Sequence, residues 1–312
     1  MILYYAMGSG LGHLTRARAV LHTLDIRAPV TILTASPLVY DTRITGSTHV
    51  VQVPAALLGQ LPAYQRWLRE VVQWLRPEAI YLDAFPAGLL GEWCDFPLPG
   101  HIAVHHIARL LRWPAYCERL CGVPPPLTST YVLEPLTTAH ETFLQQQSTR
   151  LRPLVLHDPP AIPDPTSQPL RSWLSRQIPP VWLIIHAGST AEILELVAYA
   201  RETSRLEGVQ PQLVLLAPQR PPTLPSYVIY GNLYPATPLL PLADRILTAC
   251  GFNVMRQTAA YRQQHRFLPF PRRFDDQFLR AARHRHQTQH PSSSFSSRAG
   301  GCSGCLSLGG ML

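Results

Sequence analysis

Gly8, Gly10, Gly12 and His13 stand within six consecutive positions, between an apolar run (Met1–Met7) and a helical pattern that opens at Leu14. Glycines at such a strand-to-helix turn let a ligand approach the main chain, and the helix start offers unpaired N–H groups to a polar or anionic group. His13 at the rim is the one side chain there that exchanges a proton near neutral pH. The plainer readings are tight strand-to-helix packing for the glycines and a helix-capping role for His13. Asp83 ends a second apolar run, where it either meets a ligand or braces a loop. In the second half, Gly188-Ser189 forms a turn with a capping residue, and Gly251 and Asn253 open a short helical stretch that carries Gln257. Asp275-Asp276-Gln277 opens a last helix; its acids either bind a polar ligand or merely complement the helix N-terminus.

The elements that must position these residues are readable as an alternation. Strands are expected at Met1–Met7, Val30–Ala35, Val50–Val53, Ala79–Asp83, His101–Val104 and Tyr131–Leu133, with helices near 12–24, 62–75 and 86–93. Residues 157–180 then carry Pro159, Pro160, Pro163, Pro165, Pro169, Pro179 and Pro180, a density that reads as a stiff connection rather than a helix or central strand. Beyond it, strands are expected at Val181–Ala187, Gln212–Ala217, Tyr227–Tyr230, Arg245–Ala249 and Phe267–Phe270. Helices are expected at Ala191–Leu206, Asn253–Tyr261 and Asp275–Arg285. Strands separated by helices imply parallel sheets covered on both faces. The expected fold class is therefore α/β, with two Rossmann-like domains facing across a cleft: residues 1–156, a proline-rich linker 157–180, and a second domain 181–286. Residues 287–312 have the Ser/Gly-rich composition of a disordered tail.

Composition narrows the functional classes. The apolar share is 46% and the charged share 15%, as in a globular protein. No run reaches the roughly 18 apolar residues of a membrane span, and no basic n-region precedes the first strand, so a cytoplasmic location is expected. The formal charge of +8 is concentrated late: eight arginines from Arg262 to Arg298 face only Asp275 and Asp276. That end could attract anionic lipid headgroups, phosphates or nucleic acid, or simply be a solvated basic face. No lysine occurs, which excludes a phosphate loop of the Gly-Lys-Ser/Thr type. The glycine spacing departs from the dinucleotide fingerprint, and the second strand ends without the acid that would hold a ribose. Cys302 and Cys305 have metal-ligand spacing but no second pair. His105 and His106 are adjacent on a strand, point oppositely, and are expected to be partly buried or exposed rather than metal ligands. Tyr64, Leu68, Val71 and Leu75, with Trp67 and Trp74, make a helical stripe that reads as core, part of which could sit on a membrane surface.

Taken in order, the Gly-x-Gly-x-Gly-His turn, the Asp83-x-Phe85-Pro86-x-Gly88 segment and the Ala243-Asp244…Gly251…Pro269…Asp275-Asp276-Gln277 block resemble GT-B glycosyltransferases. The resemblance spans about residues 1–285 and is greatest to the family 28 branch, which holds the peptidoglycan N-acetylglucosaminyltransferase and its predicted relatives. It implies a donor site in the second domain and an acceptor site in the first. Gly188, Ser189 and the helix after Gly251, with Asn253, would meet the diphosphate; Asp275, Asp276 and Gln277 the sugar hydroxyls; and Gln257 the ribose, where relatives usually carry glutamate. His13 would be the base facing the acceptor hydroxyl, with Gly8, Gly10, Gly12 and Asp83 on the acceptor side. The implied reaction is inverting, metal-independent transfer of a hexose or N-acetylhexosamine from a nucleotide-diphosphate sugar, most simply UDP-linked, with no further cofactor. The acceptor is expected to be lipid-linked or of the cell envelope, with peripheral membrane contact and no nucleic acid. A sugar-nucleotide 2-epimerase or hydrolase, and a degenerate sugar-nucleotide-binding protein, are the alternatives. Two departures stand out: Arg262 falls where relatives end a helix with glycine, and the crossing helix that usually closes the fold gives way to the Ser/Gly/Cys tail.

Overall fold

The computed structural model describes residues 1–8, 10–161, 167–176 and 180–289. Among them, two parallel sheets carry the architecture. The first contains β1 (Ile2–Tyr5), β2 (Val30–Thr34), β3 (His49–Gln52), β4 (Ala79–Asp83), β5 (Ala103–Ala108), β6 (Ser129–Val132) and β7 (Leu151–Pro153). Its strand order is β3-β2-β1-β4-β5-β6-β7. The second contains β8 (Val181–Ile185), β9 (Gln212–Leu216), β10 (Val228–Gly231), β11 (Arg245–Ala249) and β12 (His265–Leu268), in the order β10-β9-β8-β11-β12. Each lobe thus reverses its winding direction beside its first strand, between β1 and β4 and between β8 and β11. Ligands of open α/β sheets bind at the carboxyl ends of strands at such a reversal.

Period-two burial explains why these runs are apolar throughout. Leu3, Tyr5 and Met7 enter one core layer of the first lobe, while Tyr4 and Ala6 enter the layer on the opposite face. In the second lobe Trp182 and Ile184 face one layer, and Val181 and Leu183 the other. A strand buried on both faces has no polar side to show.

The helices are α1 (Leu11–Thr23), α2 (Thr42–Thr45), α3 (Leu61–Leu75), α4 (Trp113–Cys117), α5 (Thr138–Gln147), α6 (Ser167–Leu174), α7 (Thr190–Glu207), α8 (Phe252–Gln257) and α9 (Gln277–Gln289). In α3 the expected stripe is core, with Tyr64, Leu68 and Val71 buried, whereas Trp74 is 68% exposed. Pro62 lies in the first turn of α3, where a missing N–H costs no bond, and Arg76 in left-handed conformation ends the helix.

Several expectations are corrected. No helix forms over 86–93; Gly88 and Gly91 take positive φ, and the Glu92 carboxylate accepts from the N–H of Leu89 and of Leu90, fixing a loop instead. The proline-rich connection contains α6, because Pro169 falls in its first turn, where N–H groups have no intrahelical partner. The fifth strand runs on to Ala108 rather than stopping at Val104. His106 is fully buried there, its Nδ1 3.0 Å from the Leu82 carbonyl, while His105 on the opposite face meets Ser129 at 2.7 Å. The twelfth strand sits two residues earlier than expected, and the last helix starts at Gln277 because Asp275 pairs as a bridge with Leu111. That helix reaches Gln289, beyond the expected start of the tail; residues 290–312, with Cys302 and Cys305, lie outside the described residues. Among those described, no helix is long and apolar enough to cross a membrane.

Candidate active site between the lobes

The first reversal point brings together the two front-lobe residues that the sequence separates by seventy positions. His13 lies in the first turn of α1, after β1, and Asp83 is the last residue of β4, which pairs with β1. His13 Nδ1 is 2.6 Å from Asp83 Oδ2. Arg16, one turn further along α1, donates to both Asp83 oxygens at 2.6 Å, and the Tyr4 hydroxyl reaches Oδ1 at 3.4 Å. Burial alone would raise the Asp83 carboxyl, but Arg16 and His13 outweigh it and hold the group well below the usual carboxylate range. An ionised oxygen 2.6 Å from Nδ1 requires a proton between them, so Nδ1–H donates to Asp83. Burial chiefly, then Arg16 and Arg109 against the pull of Asp83, lowers the His13 pKa. The ring is therefore neutral near pH 7, with a bare lone pair on Nε2: the state of a general base.

The glycines differ in what they do. A Cβ at position 8 would come 2.3 Å from His13 Cδ2 and 2.6 Å from Nε2, so only glycine leaves room for this ring position. Gly10 caps α1 in extended backbone, and a Cβ there would meet nothing within 4 Å. The Gly12 carbonyl accepts from Asn253 Nδ2 of the rear lobe at 2.7 Å, so the two loops meet across the cleft.

The second reversal point gathers the ends of β8 and β11. Ser189 caps α7, its Oγ accepting from Glu192 N at 3.4 Å, and Gly251 caps α8. A Cβ on Gly188 would come 2.2 Å from His186 Nε2 and 2.3 Å from Glu192 Oε2. Glu192 in turn accepts from His186 at 2.7 Å and from both terminal nitrogens of Arg272. Burial works against the Glu192 charge, but Arg272 and His186 lower its pKa overall. The start of α7 and the Arg272 guanidinium, held by Glu192, thus lie beside Gly188, and the start of α8 follows the neighbouring strand β11; main-chain N–H groups at such helix starts suit a phosphate.

Other expected ligands are already engaged. Asp275 pairs with Arg109 of the front lobe and with Arg280 at 2.9 Å; burial resists its charge, and the two arginines bring it down to about 2. Asp276 accepts from Leu279 N at 2.9 Å as a helix cap. Gln277 Oε1 accepts from Cys250 N at 3.2 Å and Phe270 N at 3.0 Å, joining two strand ends of the rear lobe. Gln257 Nε2 donates to Asp158 at 3.0 Å, and Arg256 pairs with the same carboxylate. All three residues of the Asp-Asp-Gln segment thus make contacts within the protein.

Sequence reasoning did not single out Arg16, Arg109, Glu134, Glu192, Arg272 or Arg280. Arg16 was within reach, since it follows His13 by three positions on one helix face. The others pair across long separations: Arg280 is 3% exposed at its side chain and forms two 2.8 Å bonds to Glu134 of the opposite lobe. Among the described residues no group of three or more His, Cys, Asp or Glu side chains could hold a metal ion.

No protein-family model matches the chain, and no curated protein matches it. Solved structures do. The glycotransferase of kitacinnamycin is 16% identical with a TM-score of 0.59, over 92% of this chain and 84% of that one. The spinosyn forosaminyltransferase SpnP is 15% identical with a TM-score of 0.56, over 92% and 83%. MnaA of S. aureus, in a co-structure with UDP, is 9% identical with a TM-score of 0.53, over 86% and 79%. At such identities it is the architecture that is shared, and the chain accordingly has the two-lobed GT-B fold of glycosyltransferases.

Proposed function

We propose that this protein is a glycosyltransferase that moves a sugar from a nucleotide-diphosphate donor to a hydroxyl acceptor, with inversion. The observation that carries the reading is the His13–Asp83 pair at the front-lobe reversal point, held by Arg16 and opposite the capped helix starts of the rear lobe. His13 Nε2 takes the proton of the acceptor hydroxyl. The oxygen attacks the anomeric carbon as the bond to the diphosphate breaks, and the nucleoside diphosphate leaves with the electron pair. Attack opposite the leaving group in one step inverts the anomeric centre.

The leaving diphosphate gains charge, and main-chain N–H groups at Gly188–Thr190 and Gly251–Phe252 are suited to meet it, with Arg272 released from Glu192. Each preorganised donor in a closed cleft contributes about 3–4 kcal/mol to such a step, and a positioned base roughly two to four orders of magnitude. No step in this scheme is assigned to a metal or further cofactor. A UDP-linked hexose or N-acetylhexosamine is the donor we favour, and MnaA, which shares the fold, is found with UDP. The exposed side of α3 carries Trp74, Glu70, Arg66 and Arg69, and its Trp74 and two arginines suit peripheral contact with an anionic membrane carrying the acceptor, which fits a cytoplasmic enzyme.

A second reading, a sugar-nucleotide-binding protein without turnover, is favoured by one observation: Asp275, Gln277 and Gln257 are all committed to internal partners. Incubation with a panel of nucleotide sugars, with and without acceptor extract, separates the readings by release of free nucleoside diphosphate. Acceptor-dependent release supports transfer, acceptor-independent release a hydrolase, and tight binding without release the second reading.

A further inference from the structure

Phe274 is contributed by the rear lobe, from the loop between β12 and α9, yet it is buried in the front lobe. Its ring lies 5.7 Å from that of Phe85 at 72° and 5.9 Å from that of Tyr116 at 90°, in a cluster with Trp113 and Leu111. Phe85 follows β4 and Leu111–Trp113 follow β5, so these walls stand at the carboxyl ends of front-lobe strands, where such sheets take ligands. The Phe85 ring is also 6.0 Å from the His13 imidazole at 29°. The seat of Phe274 therefore adjoins the proposed base.

A short strap holds the ring in place. Arg112 N donates to the Phe274 carbonyl at 2.7 Å, Leu111 and Asp275 form an antiparallel bridge, and Asp275 pairs with Arg109. The walls offer an occupant little polar contact. The Tyr116 hydroxyl is committed to Ala87 N and the Gly88 carbonyl, at 3.0 and 2.9 Å. Arg109, 6% exposed and 6.0 Å over the Phe85 ring, has an Nε with no hydrogen-bond partner among the described residues, and the contact of Nδ1 with Asp83 leaves Nε2 as the other polar atom of the His13 ring. A flat apolar ring with a hydroxyl at one edge matches both the walls and these polar groups.

We infer that Phe274 is an internal occupant of the acceptor seat, and that the acceptor presents its hydroxyl on a flat, mostly apolar ring system that displaces Phe274. The inference rests on the glycosyltransferase reading for the role of His13. Tryptophan-emission titrations with 2-naphthol and naphthalene test it in the wild type, in Phe274→Ala, and in Phe274→Ala combined with His13→Ala. Expected are about tenfold tighter 2-naphthol binding in Phe274→Ala than in the wild type and a preference of about tenfold over naphthalene, lost when His13 is also replaced. Equal affinity for the two probes, or no gain over the wild type, overturns the inference, because a simple packing cavity accepts either ring. Phe274→Leu, which keeps an apolar side chain, serves if the alanine variant does not fold, with the same outcomes. A UDP titration on the same proteins separates the two claims. A hydroxyl preference without UDP binding keeps the ring seat and removes the sugar donor; UDP binding without the preference does the reverse.

Discussion

His13 Nδ1 lies 2.6 Å from Asp83 Oδ2, and the same carboxylate takes two bonds from Arg16. One carboxylate thus fixes the tautomer of the His13 imidazole and compensates a buried guanidinium. Asp83→Asn keeps the shape but no longer selects Nδ1–H, so turnover is expected to fall by about two to four orders of magnitude with donor KM little changed. It also leaves Arg16 without its counter-charge, at a cost of about 3–5 kcal/mol. Steady-state kinetics alongside denaturant unfolding separates these effects; unaltered turnover would remove the pair from the chemistry.

Gly8→Ala should act through the imidazole. The new Cβ would stand 2.3 Å from His13 Cδ2, so the ring must move off Asp83. Turnover should drop at least about tenfold while UDP binding is kept, since the donor lobe is untouched. Equal loss of both would point to a folding defect instead.

The pH profile has a sign set by burial. His13 has a pKa lowered from 6.5, and transfer needs its neutral form, so activity should hold through neutral pH and fall on the acid side at a value below 6.5. A limb above 6.5 in the rate profile that disappears in no His13 variant would assign the base elsewhere.

Stability should also decline with acid. Burial lowers His106 to about 4, His140 to about 3 and His265 to about 4. Below the ordinary value of 6.5 the unfolded chain binds protons that the folded chain does not, so each site lowers stability by up to about 1.4 kcal/mol per pH unit. The loss begins near 6.5 and, for each site, continues until its folded value is reached. Urea midpoints between pH 7 and 4.5 measure it, and a flat profile would contradict the burial of these rings.

Asp275→Ala discriminates a structural from a sugar-binding acid. Removing it strands the buried Arg109, while Arg280 keeps Glu134, and should cost about 3–5 kcal/mol in unfolding free energy. An unchanged unfolding midpoint with weakened donor binding would return Asp275 to the sugar.

The sequence by itself determined the two α/β units, the glycine turn after the first strand and the capped starts of the helices in the second unit. All of these are local: period-two apolar runs, capping residues and glycine positions act within a few neighbours. It misjudged 86–93, where helical composition loses to Gly88 and Gly91 at positive φ and to the Glu92 carboxylate that fixes the loop. Only the tertiary structure decided which polar residues of the Asp-Asp-Gln segment are committed, and to what. Asp275 and Gln277 read alike as opening a helix, yet one neutralises arginines of both lobes and the other joins two strand ends. A charge finds its partner by folding across more than a hundred residues, as Arg109 does with Asp275, and no local pattern in the chain records that distance.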